Sequence, residues 1–420
     1  MYLIYSLLIL FFAVVFSPVI LIAFILKPKF RAGFWQKIGF YSNLNGKNTI
    51  WIHAVSVGEV NAVESFIKRL RLEYPDSNIV LTTVTRTGQN VAKNKLSKVV
   101  NSITYFPYDF NFSVNAALKA IDPKIVIIAE TEIWPNFSHA VKKAGIPLIL
   151  VNGRISPNSC KNYKKFRYLF KKFLSNYILL LMQTEEDRKR IIDIGADPDK
   201  TLVMGNLKFE NTSLLTFDEI ENLKNSFKKE NRKILIAGST HNGEDELILN
   251  TYKKLKQHFS DLKLIVAPRH PERNEQVLKL IKDTGFSYGL RSKKNNFDEA
   301  DIIMLDTMGE LGKLYSVCDL AFIGGSFSNT GGHNPLEPAV YGVPVISGPT
   351  VFNFKDIYNY MLVLNGAVIV KNESELYEII YDLLNNTYKY QDMSEACINI
   401  FEANKGSLDY SISKIKEYLI

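Results

Sequence analysis

Short, continuously apolar runs alternate along this chain with longer segments of helical periodicity. In the first half, such runs predict strands at 49–54, 78–83, 125–129, 147–151 and 177–182. In the second half, they predict strands at 233–237, 262–267, 301–305, 320–323, 343–346 and 367–370. Because the runs are apolar throughout rather than alternating, the strands should be buried on both faces, as in parallel sheets. The pattern therefore predicts two doubly wound α/β sheets.

The predicted strands form two sets, and the chain is long enough for two domains. A length of 420 residues exceeds what one compact core normally holds. A polar, highly charged stretch separates the two sets, and we place the linker near 211–217. Two doubly wound halves imply a cleft between them, and ligands bind such sheets beyond the carboxyl ends of the strands.

The segment 324–339 follows a predicted strand and carries four glycines. We expect a helix to begin at Asn334-Pro335, a capping residue followed by proline, with Glu337 in its first turn. Free backbone amides and the helix dipole both favour phosphate at such a junction. Glu337 could accept hydrogen bonds from ribose hydroxyls. The segment predicts a nucleotide site, with a glycine-rich packing turn as the alternative.

Three further segments of the chain carry basic side chains or a glycine turn suited to a nucleotide. Arg269, at the end of a predicted strand, suits bidentate phosphate recognition. The junction 306–311 contains a glycine, and its amides could bind a base edge or simply cap a helix. Lys208 lies near the predicted crossover between domains and could either reach the cleft or decorate the linker.

Carboxylates follow two predicted strands of the first half. Glu59 lies three residues after Ser56, and this pair could be a capping box. The functional alternative is a general base whose carboxylate the nearby helix dipole keeps ionised. Glu130 and Glu132 end another strand, where they could form a salt bridge or belong to a charge-stabilising network. His53 lies inside its strand and is expected in the core.

The first 26 residues contain no charged side chain. As one helix, residues 2–26 would be about 37 Å long, enough to cross a bilayer. Lys27, Lys29 and Arg31 follow, so the rest of the chain should stay cytoplasmic. Pro18 could kink the helix, and a tilted, monotopic insertion is the alternative. A cleaved signal peptide is disfavoured because no basic region precedes the apolar run.

The net charge of +8 favours a nucleic acid, an anionic membrane or a phosphorylated substrate as partner. Residues 161–172 hold six basic side chains, no acidic ones, and several aromatic rings. Beside an apolar N-terminus, this run predicts a membrane-surface patch. Nucleic acid is disfavoured because no nucleic-acid-binding motif accompanies it. The three cysteines are far apart and show no metal-ligand spacing.

Taken together, the segments 53–59, 130–136, 268–273 and 331–338 resemble the signatures of 3-deoxy-D-manno-octulosonic acid (Kdo) transferases. These are membrane-anchored glycosyltransferases of lipopolysaccharide assembly. The resemblance implies a GT-B fold, in which two Rossmann-like domains face a cleft, with an N-terminal membrane anchor helix. It implies CMP-Kdo as donor, a lipid A precursor as acceptor, and neither a cofactor nor a metal.

The same resemblance implies an organisation and a location. Residues 1–26 would anchor the chain in the inner membrane, 27–213 would bind the acceptor, and 214–420 would bind the CMP-sugar. The last helix would cross back to the first domain. Both catalytic domains would be cytoplasmic, and the partners would be the membrane surface, the lipid and the donor, with no nucleic acid.

The resemblance also implies roles for residues in an inverting transfer. Glu59 would be the general base, while Glu130 and Lys208 would stabilise the transition state. Gly153 stands where alanine is usual in the family. The residues matching the CMP-binding stretches are Pro268, Arg269, Gly309, Glu310, Leu311, Asn334, Pro335, Leu336 and Glu337.

Three alternatives to this function are compatible with the motifs. One is a GT-B glycosyltransferase that uses a UDP-sugar and a lipid acceptor. Another is a sugar-nucleotide epimerase of the same fold, which would be active without any lipid. The third is a membrane-tethered nucleotide-binding module without catalysis, against which the paired carboxylates at strand ends argue.

Overall fold

The computed structural model describes residues 1–26, 31–211, 215–227, 232–293, 297 and 299–419. The chain divides into two compact units. Unit 1 comprises Met1–Asn211 together with Asn404–Ile420, and unit 2 comprises Thr212–Ala403. The boundary expected between 213 and 214 and the basic flank at Lys27 and Lys29 lie outside the described residues.

Unit 1 is built on a parallel sheet of seven strands in the order β3-β2-β1-β4-β5-β6-β7. The strands are β1 Ile50–His53, β2 Ile79–Thr83, β3 Ser102–Tyr105, β4 Ile125–Ala129, β5 Leu148–Gly153, β6 Leu179–Met182 and β7 Thr201–Val203. The parallel arrangement confirms the prediction from the apolar runs. The strands β3 and β7 were not predicted; both lie at sheet edges, where short, half-exposed strands lack a continuous apolar pattern.

The chain winds in two directions from the centre of this sheet. It passes from β1 to β2 and β3 on one side, and β4 then pairs with the other side of β1. The strand order therefore reverses between β1 and β4, which are both fully buried. The carboxyl ends at this reversal are where a doubly wound sheet binds ligands.

Helices cover both faces of this sheet and bury its apolar side chains in two clusters. They are α1 Tyr2–Val15, α2 Ser17–Leu26, α3 Phe34–Lys37, α4 Val57–Ala62, α5 Glu64–Glu73, α6 Arg86–Leu96, α7 Asn111–Ile121, α8 Pro135–Lys143, α9 Pro157–Lys164, α10 Arg167–Leu174 and α11 Glu185–Asp193. A short 3-10 helix, Leu207–Asn211, closes this part of the chain.

The N-terminal apolar segment is bent rather than one straight helix. α1 and α2 meet at an angle of 58°. Pro18 has no N–H to bond the carbonyl of Val14, and the Ser17 hydroxyl donates to that carbonyl instead (2.7 Å). By length and composition, no individual helix in the described part of the chain could cross a membrane, although this bent pair could.

The first turns of α1 pack on α8. The Tyr2 ring stacks on His139 at 3.9 Å between centroids, and its hydroxyl accepts a hydrogen bond from Asn176 (2.9 Å). Ser6 donates to the side-chain oxygen of Asn136 (3.0 Å). Since Asn136 belongs to the segment 130–136, α1 directly contacts one of the motifs singled out in the sequence.

Unit 2 contains a second parallel sheet, in the order β10-β11-β9-β8-β12-β13-β14. Its strands are β8 Ile234–Thr240, β9 Lys263–Pro268, β10 Tyr288–Leu290, β11 Ile302–Met304, β12 Leu320–Ile323, β13 Val345–Ser347 and β14 Ala367–Ile369. The edge strand β10 was not predicted. Here the strand order reverses between β8 and β12, which pair in parallel.

The helices of unit 2 again lie between the strands. They are α12 Phe217–Phe227, α13 Glu244–Leu255, α14 Asn274–Asp283, α15 Leu311–Leu314, α16 Leu336–Ala339, α17 Lys355–Val363, α18 Glu373–Asn385 and α19 Thr387–Glu402. The last helix, α20 Ser407–Lys416, belongs to unit 1, where Ile412 and Ile415 join an apolar cluster of the core.

Candidate active site

Glu59 lies in the first turn of α4, directly beyond the carboxyl end of β1, and is only 8% exposed. Its Oε2 accepts a hydrogen bond from the backbone N–H of Val55 (2.6 Å), and its Oε1 accepts one from the Ser56 hydroxyl (3.2 Å). Neither bond of a capping box forms, since Glu59 accepts the N–H of Val55 rather than that of the N-cap Ser56, and the Ser56 side chain accepts no bond from the helix. Glu59 is therefore fixed by its neighbours without capping the helix in the expected way.

The protonation of Glu59 differs from the expectation that the helix dipole keeps it ionised. Burial, followed by the nearby carboxylates of Glu130 and Glu132, raises its pKa to about 8. The bonds from Val55 and Ser56 lower the pKa by less. Desolvation outweighs these bonds in a helix of only six residues. The carboxyl group is thus mostly protonated at neutral pH and gains its charge in mildly alkaline solution.

Glu130 stands at the carboxyl end of β4, on the other side of the strand reversal. Its backbone has φ of +54°, a left-handed conformation that is costly for a residue with a side chain. Its Oε1 lies 3.3 Å from Nζ of Lys208, and its Oε2 lies 3.1 Å from Nε of Arg154. The structure thus brings two of the predicted residues, Glu130 and Lys208, into one ion-paired group.

Arg154 was not among the predicted residues. It follows β5, which pairs in parallel with β4, so Arg154 and Glu130 both lie at the carboxyl edge of this sheet. Thr131 fixes the Arg154 backbone, because its hydroxyl accepts a hydrogen bond from the Arg154 N–H (2.9 Å). A basic residue directly beyond a predicted strand was the available signal, the same signal that identified Arg269.

Lys208 is positioned by a network of amide side chains. The buried side chain of Asn152, at the end of β5, accepts a hydrogen bond from the Leu207 N–H (3.0 Å). Asn206 accepts one from the Lys208 N–H (3.0 Å) and donates to Gln183 (3.0 Å). Lys208 therefore lies at the sheet edge that carries Glu130 and is not simply an exposed side chain of a linker.

Two other polar residues of this region have different environments. Burial, followed by the charge of Glu130, raises the pKa of Glu132, so this carboxyl also resists ionisation. His53 is fully buried, stacks on Phe106 at 3.7 Å, and places Nδ1 3.1 Å from the Thr82 hydroxyl. Burial lowers its pKa to about 3, so His53 is a neutral core residue, as predicted from its place in the strand.

In unit 2, a cavity of about 80 Å³ lies beyond the carboxyl ends of β8, β9 and β11. Four of the residues matched to CMP binding line it: Pro268, Arg269, Gly309 and Leu311. The other lining residues are Ser239, Ala267, Leu305, Thr307 and Met308. Among them, Thr307 and Met308 belong to the junction 306–311, whose amides were expected to bind a base edge, and the rest were not predicted as ligand contacts.

The two arginines beyond β9 have different roles. Arg269 lines the cavity, is exposed, and forms no ion pair among the residues that the structure describes. The Arg273 guanidinium instead pairs with the fully buried Asp245 and donates to the Thr240 carbonyl (3.1 Å). Arg273 therefore holds the loop together, and Arg269 is the cation available to an anionic ligand.

Other residues matched to CMP binding are engaged by the protein or buried. The Glu310 carboxylate pairs with Arg291 through both oxygens (3.2 and 3.0 Å) and accepts a bond from Thr307, which lowers its pKa. Leu336 is 2% exposed, and Pro335 is also buried. Burial raises the pKa of Glu337, against which a bond from Asn334 and the charge of Arg269 act.

The glycine loop after β12 does not offer its amides to a ligand, contrary to the expectation. The carboxylate of Glu244, 1% exposed at the start of α13, accepts the N–H groups of Gly325, Ser326 and Phe327 at 2.7–2.8 Å. It also accepts the N–H of His241 (2.8 Å). The predicted anion site exists, but the anion in it is a side chain of this chain.

The helix expected at Asn334-Pro335 is present, with Glu337 in its first turn, but it is short. α16 spans only Leu336–Ala339, with Pro335 at its cap position, and Asn334 accepts a bond from the Leu336 N–H (3.2 Å). One turn of helix carries little dipole, because the macrodipole is a sum over aligned peptide units. The phosphate preference predicted from this helix is therefore weak.

No group of three or more histidine, cysteine, aspartate or glutamate side chains is arranged to hold a metal ion within the described ranges. The cysteines Cys160, Cys318 and Cys397 are buried, and none of them forms a disulfide within the described residues. The basic side chains Lys208 and Arg269 lie beyond the carboxyl ends of strands in the first and the second sheet, respectively.

Comparison with known proteins relates the whole chain to one family. Residues 32–211 match the family described as 3-Deoxy-D-manno-octulosonic-acid transferase (kdotransferase). The chain is 34% identical over 397 residues to the 3-deoxy-D-manno-octulosonic acid transferase of Haemophilus influenzae, which covers 93% of this chain and 92% of that protein. It is 37% identical over 373 residues to a bifunctional glycosyltransferase/methyltransferase of Fusobacterium nucleatum, which covers 87% of this chain and 56% of that protein.

Among solved structures, UDP-GlcNAc 2-epimerase from Neisseria meningitidis bound to UDP-GlcNAc is similar to this chain, with a TM-score of 0.54. The similarity covers 88% of this chain and 100% of that one at 13% identity, so it concerns the fold alone. That fold is a pair of parallel-sheet, Rossmann-like α/β domains. The sequence relationship is much stronger and extends over both units. The chain belongs to the family of Kdo transferases, which are glycosyltransferases.

Proposed function

We propose that this protein transfers Kdo from CMP-Kdo to a hydroxyl group of a lipid A precursor, with inversion at the anomeric carbon and Glu59 as general base. One observation carries the proposal: a buried, hydrogen-bonded carboxyl group lies at the strand reversal of unit 1, next to the ion-paired Glu130. Family membership supplies the sugar that is transferred. The donor, the acceptor and the mechanism are inferences from the residues below.

The environment of Glu59 suits a general base. A base is most efficient when its pKa lies near the working pH, and burial brings that of Glu59 to about 8. In the proposed step, ionised Glu59 takes the proton of the acceptor hydroxyl while the oxygen attacks the anomeric carbon. The bond from Val55 holds the carboxylate in one orientation throughout.

The group around Glu130 suits the charge that develops during the transfer. Positive charge grows on the sugar as the bond to CMP breaks, and fixed charges stabilise such a transition state without reorganising. Lys208 and Arg154 each pair with one oxygen of the Glu130 carboxylate and hold both oxygens in place. We infer that Glu130 stabilises the sugar cation and that Lys208 is a positioning residue as well as a nearby cation.

The cavity of unit 2 suits the nucleotide part of the donor. Gly309 has φ of +82° and turns the backbone at the cavity wall, where its polar groups can meet a base edge. Arg269 can pair with the phosphate. A monophosphate leaving group requires less compensating charge than a diphosphate, so we propose a transfer that needs no metal.

The surface of unit 1 suits a lipid acceptor at a membrane. α1 and α2 expose apolar side chains such as Leu3, Phe11 and Ile25, each more than half exposed. Exposed Phe166 and Tyr168 stand within the basic run at 161–172. Apolar side chains beside basic ones favour an anionic bilayer. We therefore propose that the N-terminal helices anchor the protein to the cytoplasmic face of the inner membrane.

The test is mass spectrometry of a tetraacylated lipid A precursor incubated with the purified protein, CTP, Kdo and a CMP-Kdo synthetase. We expect a mass gain of one or more Kdo units, unchanged by EDTA. Glu59→Gln should lower the rate by about 10² to 10⁴, the usual contribution of a general base. Glu64→Gln, which changes a surface carboxylate five residues away, is the matched control and should transfer normally.

Each alternative function gives a different result in the same experiment. No gain from CMP-Kdo, with a UDP-sugar consumed in its place, would indicate another donor. Turnover of a sugar nucleotide without lipid would indicate an epimerase. Near-normal transfer by folded Glu59→Gln would exclude Glu59 as the base.

A further inference from the structure

Two histidines meet at the strand reversal of the second sheet. His241 follows β8 directly, and His333 lies in the loop after β12, 92 residues later. Their Nε2 atoms are 2.9 Å apart, and their rings lie within 13° of parallel. This edge of the sheet is where a doubly wound domain binds its ligand.

The approach of the two loops is built into the backbone. Gly324 passes so close to β8 that an added Cβ would lie 2.4 Å from the Ser239 carbonyl oxygen. Gly325 has φ of +70°, and an added Cβ there would lie 3.0 Å from the His333 ring and 3.4 Å from the His241 ring. Gly324 therefore lets the two loops approach each other, and Gly325 leaves room for the imidazole pair.

The distance between the rings fixes their protonation. Two Nε2 atoms at 2.9 Å share a single hydrogen, so one ring donates N–H and the other accepts with its lone pair. Burial, followed by His241, Arg269 and His270, lowers the pKa of His333 to about 4. Burial also lowers the pKa of His241, and Glu244 opposes this shift. The pair is therefore neutral at pH 7.

Cations and carboxylates both lie near the pair. Arg269, His270 and Arg273 approach from the loop after β9. Arg273 is already paired with buried Asp245, and four backbone N–H groups bond to the Glu244 carboxylate. Arg269 forms no ion pair among the described residues. An anion bound beside Arg269 and the pair would raise the affinity of the imidazoles for a proton.

We propose that the His241–His333 pair binds the phosphate of the cytidine nucleotide and takes up a proton from solvent as it does so. This inference rests on the proposed function. The phosphate of CMP-Kdo has one negative charge, and the released CMP has two. When the bond from the anomeric carbon to the phosphate oxygen breaks, its electron pair goes to the phosphate. A proton on the pair then balances the added charge.

The position of the pair matches this role. His241 is two residues beyond Ser239, which lines the cavity together with Arg269. The pair therefore stands at the phosphate side of the proposed nucleotide site, next to the free guanidinium. A proton shared by two imidazoles can be gained and lost near neutral pH, unlike the fixed charge of an arginine.

Isothermal titration calorimetry of the full-length protein with CMP at pH 7.5 tests the proposal. Repeating the titration in two buffers of different ionisation enthalpy gives the number of protons exchanged. CMP is already a dianion at this pH, since the second pKa of a phosphate ester is about 6. We expect net proton uptake with CMP, an affinity that weakens as the pH rises, and no uptake with cytidine.

Substitutions assign the proton to the pair. His241→Gln and His333→Gln keep a hydrogen-bonding group near the Nε2 position but do not titrate. Each should abolish the uptake and weaken CMP binding about tenfold, the loss of one charge-assisted contact. His258→Gln is the matched control, because His258 is a histidine of the same unit that contacts Tyr381 instead. It should leave uptake and affinity unchanged.

The outcomes separate this inference from the proposed function. CMP binding without proton uptake overturns the role of the pair and leaves the proposed function intact. Uptake that survives both substitutions, or that His270→Gln alone abolishes, also overturns it. Absence of any CMP binding overturns both.

Discussion

At the scale of single residues, Glu59, the proposed general base, lies in an environment that disfavours its charge. Its carboxyl group is 8% exposed and lies near Glu130 and Glu132, and two hydrogen bonds only partly compensate. Such a group costs stability when ionised, and the ionised form is the one that a general base requires. Activity and stability should therefore depend on pH in opposite directions.

The first consequence concerns the rate of transfer. Because only ionised Glu59 can accept the proton, kcat/KM should rise with pH and level off above about 8. A pH–rate profile with a soluble acceptor analogue measures this. The profile of Glu59→Asp should keep an alkaline limb at lower rate. A wild-type rate that is flat between pH 6 and pH 9 would contradict the assignment.

The second consequence concerns stability. The folded-state pKa of Glu59 lies above its unfolded value, so the folded state binds more protons between about 4.5 and 8. The stability that Glu59 contributes is fully present below about pH 4.5 and is lost as the pH rises to about 8. Glu59→Gln, which does not titrate, should gain stability relative to wild type with rising pH, by up to about 1.4 kcal/mol per pH unit. Urea unfolding at pH 5 and pH 8 measures the difference, and Glu64→Gln should show no such trend.

At the scale of elements, interior strands were predictable and the details of loops were not. Runs such as Ile125–Ala129 are apolar on both faces, so periodicity alone identified them. The edge strand Ser102–Tyr105 exposes part of each face and lacked that signal. Glu59, Glu130 and Arg269 could be singled out because polar residues directly beyond buried parallel strands gather at the carboxyl edge of their own sheet.

The error in the glycine loop has a physical cause. Local sequence shows which amides a loop leaves free, but their partner, Glu244, comes from a segment about 80 residues earlier. A glycine loop therefore indicates an anion site without indicating whether the anion is a ligand or a side chain. Arg154 and Asn152 were missed for the same reason, because their roles depend on partners in other elements.

This arrangement predicts a large effect of Glu244 on the loop. Glu244→Ala leaves four N–H groups without this acceptor, two of them buried and two partly buried. Each buried loss costs about 1 to 3 kcal/mol, so unit 2 should be severely destabilised. Glu244→Gln keeps two acceptor lone pairs and should cost less. Urea unfolding and CMP affinity of both variants measure this order. Equal stability of Glu244→Ala and wild type would contradict the structural role.

At the scale of the whole molecule, the two units differ in the number of chain segments that form them. Unit 2 is one continuous segment, whereas unit 1 takes its last helix from the far end of the chain. Ile415 of α20 is fully buried in a core cluster of unit 1 together with Leu207, which precedes Lys208. The C-terminal helix thus supports the same sheet edge that carries the proposed catalytic group.

It follows that damage to the C-terminus should affect unit 1 before unit 2. Ile415→Ala removes a buried side chain and should cost unit 1 about 2 to 5 kcal/mol. Ile398→Ala, in α19 of unit 2, changes a side chain that is 46% exposed and should cost less than about 0.5 kcal/mol. Thermal unfolding with and without CMP separates the units, because CMP stabilises only the transition of the unit that binds it. In Ile415→Ala, we expect the unfolding transition that is insensitive to CMP to move to lower temperature. The temperature shift that CMP causes in the other unfolding transition should stay at its wild-type size. A loss of the CMP-dependent shift in this variant would mean that the C-terminal helix supports the nucleotide site instead.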